Sequence, residues 1–314
     1  MSKINVNILE KKADKNLLQK KQQWAKAISN HFSINLAMHN PDSPLKKSYD
    51  NTYHCNSVKQ YDGKKIKSTY CKNRWCYTCN RIRTAININN FAPQISNFGM
   101  PYFVTLTRPT CTIEELPEQI KKMETLWRNI YNYSKIKSKT PYKSGIRLIG
   151  IRKMECTLRP DGKFHYHFHL LVDGWNNAEW IRSEWLKRNP DSSPDAQDVR
   201  PADKGALMEV LKYTTKMSVK MANETDFKRL DQLFVTMKGK RTLATFGGLK
   251  SLKKELDEDF DIAAQTDEEL QLRLGNEFSV WKWQTKIYDW VNPETGELLI
   301  GEELPEKIKN IIEN

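Results

Sequence analysis

The sequence predicts an α+β chain in which strands pair antiparallel and amphipathic helices run between them. Three observations predict this. A run rich in β-formers, Pro101-Tyr102-Phe103-Val104-Thr105-Leu106-Thr107, is followed by a helix signal. A long apolar stretch turns back on itself at Pro160-Asp161-Gly162, which reads as a hairpin. A second short hairpin turns at Asp62-Gly63, among four clustered cysteines.

The elements follow in order. Asn16 to Leu36 carries Leu17, Leu18, Trp24, Ile28, Phe32 and Leu36 at helical spacing. His39 to Asp50, with Pro41, Pro44 and few apolar residues, reads as a linker. Cys55, Cys71, Cys76 and Cys79 come next, the last two as C-x2-C. That step lets two thiolates bind one tetrahedral zinc. With Asp62-Gly63 as a two-residue loop, Cys55 falls opposite Tyr70, beside Cys71, so the hairpin delivers two sulfurs to the Cys76/Cys79 pair. In a cytosolic protein this spacing favours a structural Zn2+ over disulfides. His54 is an alternative to Cys55, whereas Cys111 and Cys156 read as packed residues. Lys59, Lys64, Lys65, Lys67, Lys72, Arg74, Arg81 and Arg83 surround the cluster against one acid, Asp62. Such a ribbon could position phosphates, or could be a staple for a small hairpin.

After the 101–107 strand, Thr112-x-x-Glu115 is a capping box. Ile113, Leu116, Ile120, Met123, Trp127 and Ile130 give its helix an apolar face. Ile146 to Leu158 reads as a strand that turns into Phe164-His165-Tyr166-His167-Phe168-His169-Leu170-Leu171. Half of the six histidines stand here at alternate positions. A strand alternates its side chains, so three imidazoles share one face and Phe164, Tyr166, Phe168 and Leu170 the other. Neutral imidazole is the commonest metal ligand, and this row predicts a divalent-metal site. Counting about the turn, Glu155 falls across from Tyr166 or His167; it is a further metal ligand or a surface glutamate, depending on register.

A helix is predicted from Asn176 to about Arg188, a short strand around Val199, and a helix from about Lys204 to Met221. On that last helix Glu209, Tyr213, Lys216 and Lys220 stand at offsets 0, 4, 7 and 11, one face. It is either a salt-bridged solvent face or a site where a tyrosine acts as nucleophile. Val280 to Val291 reads as a strand, with Asn292-Pro293-Glu294-Thr295-Gly296-Glu297 turning it into Leu298-Leu299-Ile300. Trp281 and Trp283 share a face there, for stacking on bases or for burial.

Charge is uneven. The net is +13 over 314 residues, but residues 255–314 hold 16 acidic and 5 basic residues, leaving a net of +24 in residues 1–254. A basic body with an acidic end points to a polyanionic partner, most simply nucleic acid. The acidic end could mimic DNA or meet a host protein. No apolar run approaches the roughly 20 residues that span a bilayer, and the charged start lacks a signal region, so no membrane partner and a cytoplasmic location are expected.

These pieces together resemble one family. Cys71-x4-Cys76-x2-Cys79 with Arg74, the Phe103–Thr107 strand, His167-Phe168-His169-Leu170-Leu171, Glu209-x3-Tyr213-x2-Lys216, and Lys238-Gly239-Lys240-Arg241 before Phe246-Gly247-Gly248 are similar to the plasmid rolling-circle replication initiators of the HUH endonuclease superfamily. The similarity is to those with one tyrosine and a nearby glutamate. It implies an antiparallel sheet of about five strands with helices on one face, a ferredoxin-like arrangement. It implies residues 1–50 as an amino-terminal helical region and linker, 51–95 as a zinc ribbon, 96–250 as the endonuclease domain, and 251–314 as an acidic region with a β-hairpin. His167 and His169 would hold one Mg2+ or Mn2+, with His165 or Glu155 as third ligand. His165 departs from the pattern, since another residue type is usual there. Tyr213 would attack a phosphate of single-stranded DNA at a plasmid double-strand origin, Lys216 would sit near that phosphate, and Glu209 would later activate water. Host helicase and DNA polymerase are the implied partners. Histidines ahead of the tyrosine fit replication initiators better than conjugative relaxases. Rival readings are a transposase of the same superfamily, a non-catalytic zinc-ribbon DNA-binding regulator, and a metal-dependent small-molecule hydrolase.

Overall fold

The structure is a computed structural model that describes residues 15–63, 66–139, 146–212, 223–250 and 277–313; the side chains of residues 15–18 and 139 are not among them. The chain is α+β, and its strands form two antiparallel sheets. The described residues fall into two compact units, one from 87–139, 146–212 and 232–250, the other from 15–63, 66–86, 223–231 and 277–313.

The first unit is built on a five-stranded sheet of order β6-β3-β5-β4-β7. Its strands are β3 (Pro101–Thr107), β4 (Gly150–Leu158), β5 (Phe164–Asp173), β6 (Asp198–Pro201) and β7 (Leu243–Phe246). β4 and β5 form the expected hairpin, in the register Glu155↔His167 and Lys153↔His169. β3 lies on the other side of β5, with Thr105 opposite His169. On the apolar face of β5, α4 (Leu116–Lys139) and α5 (Trp175–Arg188) bring Trp127 and Trp185 edge-on to Phe168, at ring-centroid distances of 6.3 and 6.1 Å. Phe164, Phe168, Leu170 and Trp185 are fully buried, each worth about 1.5–3 kcal/mol of transfer free energy. The capping box forms in part, Thr112 N–H donating to Glu115 Oε2 at 2.9 Å. β7 ends at Gly247, where φ is 73° and a Cβ would stand 1.9 Å from Leu148 O, so only glycine fits this bend.

The opposite face of β5 receives α6 (Lys204–Leu211), which packs on β4 and β5. Asp203 caps it by accepting from Ala206 N–H at 2.7 Å. The helix expected across 204–221 closes at Leu211, because Lys212 turns to ψ 120°. Tyr213, Lys216 and Lys220 lie outside the described residues.

The second unit holds α1 (Lys15–His39), α2 (Lys46–His54), the first turns of α3 (Tyr77–Ile95), α7 (Glu306–Ile312) and a sheet of order β2-β1-β8-β9. Its strands are β1 (Val58–Asp62), β2 (Ile66–Ser68), β8 (Phe278–Gln284) and β9 (Asp289–Val291). α2 occupies part of the stretch read from sequence as linker. Tertiary contacts hold it there, the buried Tyr49 hydroxyl donating to Asp231 Oδ1 at 2.5 Å. The hairpin register also differs from the two-residue loop at Asp62-Gly63, since Tyr61 pairs with Ile66. That register puts two apolar side chains opposite each other on the buried face, where the shorter loop would set Lys64 against Tyr61.

The Val280–Val291 strand is two strands, broken by a turn in which Tyr288 adopts φ 52°. β8 pairs with β1 as well as β9. Trp281 and Trp290 are buried with Tyr61, Ile66 and Leu299, so Trp281 is core and not a stacking platform. Among the described residues no helix is long and apolar enough to cross a membrane.

Candidate active site

Alternation along β4 and β5 and the register between them bring Glu155, His167 and His169 together, all buried. Glu155 Oε2 lies 3.4 Å from His167 Nε2 and 3.7 Å from His169 Nε2. Ligands about 2.1 Å from a shared cation stand roughly 3.0 Å apart when adjacent in an octahedron and 4.2 Å when opposite. The observed separations fall between, so one carboxylate and two imidazoles fit a divalent ion. The donor set, oxygen and nitrogen without sulfur, suits Mg2+, Mn2+ or Zn2+. Glu209 reaches the same pocket from α6, its Oε1 4.0 Å from His169 Nε2.

His165 is not part of this group. Its ring stacks on His167 at 4.8 Å and 24°. Burial, then the charges of His167 and Arg159, push it down to about 4. It is a neutral shoulder beside His167 at ordinary pH.

Three residues to which the sequence reading gave no role in the site, Phe103, Thr105 and Lys153, complete the pocket. Thr105 Oγ1 lies 3.2 Å from His169 Nδ1, and Phe103 stacks on the same ring at 5.1 Å. Both fix the imidazole so that Nε2 points at Glu155, the usual way a protein orients a metal-binding histidine. Lys153 is buried, ion-pairs with Glu155, and donates to the backbone O of Glu209 at 2.6 Å. Strand alternation was the available signal for Thr105 and Lys153, which flank His169 on either side of β5.

The cysteines form a separate centre in the second unit. Cys55 ends α2, Cys71 follows β2, and Cys76 and Cys79 stand at the start of α3. The Cys55–Cys79, Cys55–Cys76 and Cys71–Cys79 sulfurs are 3.6, 3.6 and 3.7 Å apart. A tetrahedron with Zn–S of about 2.3 Å has edges near 3.8 Å, whereas a disulfide needs about 2.05 Å. The four sulfurs therefore fit zinc. Without metal, hydrogen bonds from the Cys55, Cys76 and Cys79 sulfurs pull Cys71 well down. His54 is not among the grouped ligands, and Cys111 and Cys156 are buried elsewhere. Lys26 is fully buried nearby, donating to Tyr53 O at 2.6 Å and Ser57 Oγ at 2.7 Å. Burial pushes its ammonium down to about 8, opposed by Cys55, Cys76 and Cys71. It would offset part of the negative charge of a four-thiolate zinc.

The profile of a replication-protein family matches residues 63–289. The chain belongs to that family. The match takes in Cys71, Cys76, Cys79, Glu155, the histidine strand and Glu209. This member is 26% identical over 222 residues to the protein named "Protein rep" of Lentilactobacillus hilgardii, covering 61% of this chain and 68% of that one. No solved structure matches. Membership and that relative together make this a plasmid replication initiator.

Proposed function

We propose that this initiator nicks single-stranded origin DNA by tyrosine transesterification, as an HUH endonuclease of the single-tyrosine type. The observation that carries the reading is the buried Glu155–His167–His169 group on paired strands of the five-stranded sheet. The strand order supports a ferredoxin-like core. Taken in sequence, the first four strands lie in the order 4-1-3-2, with α4 between the first and second and α5 between the third and fourth. Mg2+ or Mn2+ bound by these three ligands would draw charge from the scissile phosphate.

The protein residues then divide the work. Tyr213 attacks the phosphorus in line, its oxygen replacing the leaving 3′-oxygen, which takes up a proton. The products are a 5′-phosphotyrosyl link and a free 3′-hydroxyl. The link conserves the phosphodiester's energy, so strand transfer can reseal the nick without ATP. Lys216 lies three residues beyond Tyr213 and would steady the phosphate charge. Glu209, whose carboxylate already points to the histidines, accepts a proton from water for the terminating cleavage. Lys153 holds the Glu209 backbone to β4. Zinc in the cysteine centre would be structural.

Labelled single-stranded origin DNA, incubated with Mn2+ and run on a denaturing gel, tests the reading. A covalent adduct is expected from the wild type and none from Tyr213→Phe. Glu209→Gln should nick but fail to terminate. An adduct that persists in Tyr213→Phe refutes the assignment. The other candidates are then Tyr131, Tyr133 and Tyr166, of which Tyr166 already donates to Gln119 Oε1.

A further inference from the structure

A cavity of about 130 Å³ opens in the second unit, next to the cysteine centre. It is lined by Gln22 and Ala25 of α1, Tyr70 ahead of Cys71, and Thr78, Arg81, Ile82 and Ala85 of α3. A single water needs about 10–15 Å³ on this measure, so the space holds a group of many atoms. Ala85 is exposed and marks the open side, whereas Thr78 and Ala25 are buried.

The polar lining is one-sided. The Thr78 hydroxyl is buried and has no hydrogen-bond partner among the described residues. The half-buried Arg81 guanidinium likewise meets no carboxylate or carbonyl among them, and burial pushes it down to about 10. Gln22 Oε1 already accepts from Lys59 Nζ at 2.9 Å, which leaves the Gln22 amide hydrogens to offer. No acid lines the space. A partly desolvated guanidinium without an acceptor is costly, and an unmet buried hydroxyl costs a further 1–3 kcal/mol or so. Both costs vanish if an oxyanion enters. The remaining walls, Ala25, Tyr70 and Ile82, are apolar or aromatic, which suits a sugar or base and not a free inorganic ion alone.

We infer that this cavity is a nucleotide-binding pocket for the DNA strand, taking a phosphate on Arg81 and Thr78 and its sugar or base against Tyr70 and Ile82. It lies in the zinc unit and is separate from the Glu155–His167–His169 group. The pocket gives the basic cysteine region a specific contact in place of diffuse charge. The inference rests on the chain's DNA-initiator role but not on the nicking chemistry.

The test is equilibrium binding of a fluorescent single-stranded oligonucleotide to the full zinc-loaded chain across a salt series. Each phosphate contact to a single strand contributes roughly 0.7 to the slope of log K against log salt. Arg81→Gln should weaken binding about tenfold at low salt and flatten the slope by about 0.7, while Arg81→Lys keeps the slope. Thr78→Val should weaken binding a few-fold at unchanged slope. Zinc content and melting temperature should stay the same or rise in Arg81→Gln, because an unpaired cation has been removed. A structural role for Arg81 would lower both.

An unchanged slope and affinity in Arg81→Gln overturn the pocket. So does a fall in melting temperature that tracks the binding loss. Slope and nicking are read separately. A wild type that binds but does not nick refutes the endonuclease reading while the slopes still decide the pocket. A wild type that binds no DNA overturns both.

Discussion

Lys153→Met is the most informative single substitution in the first unit. The ammonium is buried, paired with Glu155 and bonded to Glu209 O. Methionine keeps most of the stem's volume and removes the charge. Glu155 then stays buried beside two imidazoles and has lost its Lys153 ion pair. Breaking one side of a buried pair costs about 3–5 kcal/mol, and the retained packing argues for the lower end. For a unit of this size, 3 kcal/mol lowers the melting temperature by roughly 6–12 °C.

A bound divalent ion reverses part of this. A divalent ion bound there would share one carboxylate with the Lys153 ammonium and be repelled by it. Even at a water-like dielectric, repulsion between a dication and an ammonium a few ångströms apart is on the order of 1 kcal/mol or more, roughly tenfold in affinity. Lys153→Met should therefore bind Mn2+ at least ten times more tightly, and saturating Mn2+ should recover most of the lost stability. Calorimetry with and without Mn2+ reads both effects. An equal loss of melting temperature in the two conditions, or an unchanged Mn2+ affinity, would show that Lys153 and the metal do not compete for Glu155.

Thr105→Val should leave the fold intact and weaken Mn2+ binding by about tenfold, because His169 loses the group that orients it; isothermal titration measures this. Chelating the zinc, or Cys76→Ser, should unfold the second unit, seen as loss of cooperative melting that added Zn2+ restores in the wild type only. Lys59 supplies a pH dependence. Burial pushes its ammonium down to about 7, with Asp289 opposing, so between there and the ordinary lysine value the unfolded chain binds the extra proton. Stability contributed by this site rises with pH across that window, by up to about 1.4 kcal/mol per pH unit. Denaturant titrations at pH 7.5 and 9.5 should show the rise in the wild type and a flatter response in Lys59→Met.

The histidine site was legible because strand period and hairpin turn are local signals. Once Pro160-Asp161-Gly162 is read as the turn, the register follows within a residue, and Glu155 lands opposite His167. What failed was whatever depends on a distant partner. The Asp62-Gly63 turn predicts a short loop, but the apolar pair Tyr61 and Ile66 must both face Trp281 and Trp290, and those come from more than two hundred residues away. α2 was invisible for the same reason, since Asp231 accepts from Tyr49 across 182 residues. The end of α6 at Leu211 has no proline or glycine to announce it. Lys153 could have been found, because it alternates with Glu155, but lysine on a strand reads as surface until its partner is placed.

The two clusters of potential ligands differ in a way that assigns them different work. Four thiolates close a tetrahedral shell and leave no position for a substrate, which is the pattern of a structural zinc. One carboxylate and two imidazoles cannot fill the shell of a six-coordinate cation, so at least three positions stay open for water or phosphate oxygens. Glu209 Oε1 stands 4.0 Å from His169 Nε2, near enough to reach a water held in one of those positions. A metal held by the Glu155 group should therefore exchange readily, while a sulfur-bound one should not. Equilibrium dialysis against Mn2+-free buffer is expected to strip the first and abolish nicking while the zinc remains at one per chain. Retention of nicking after such dialysis would mean that the Glu155 group is not the catalytic cation site.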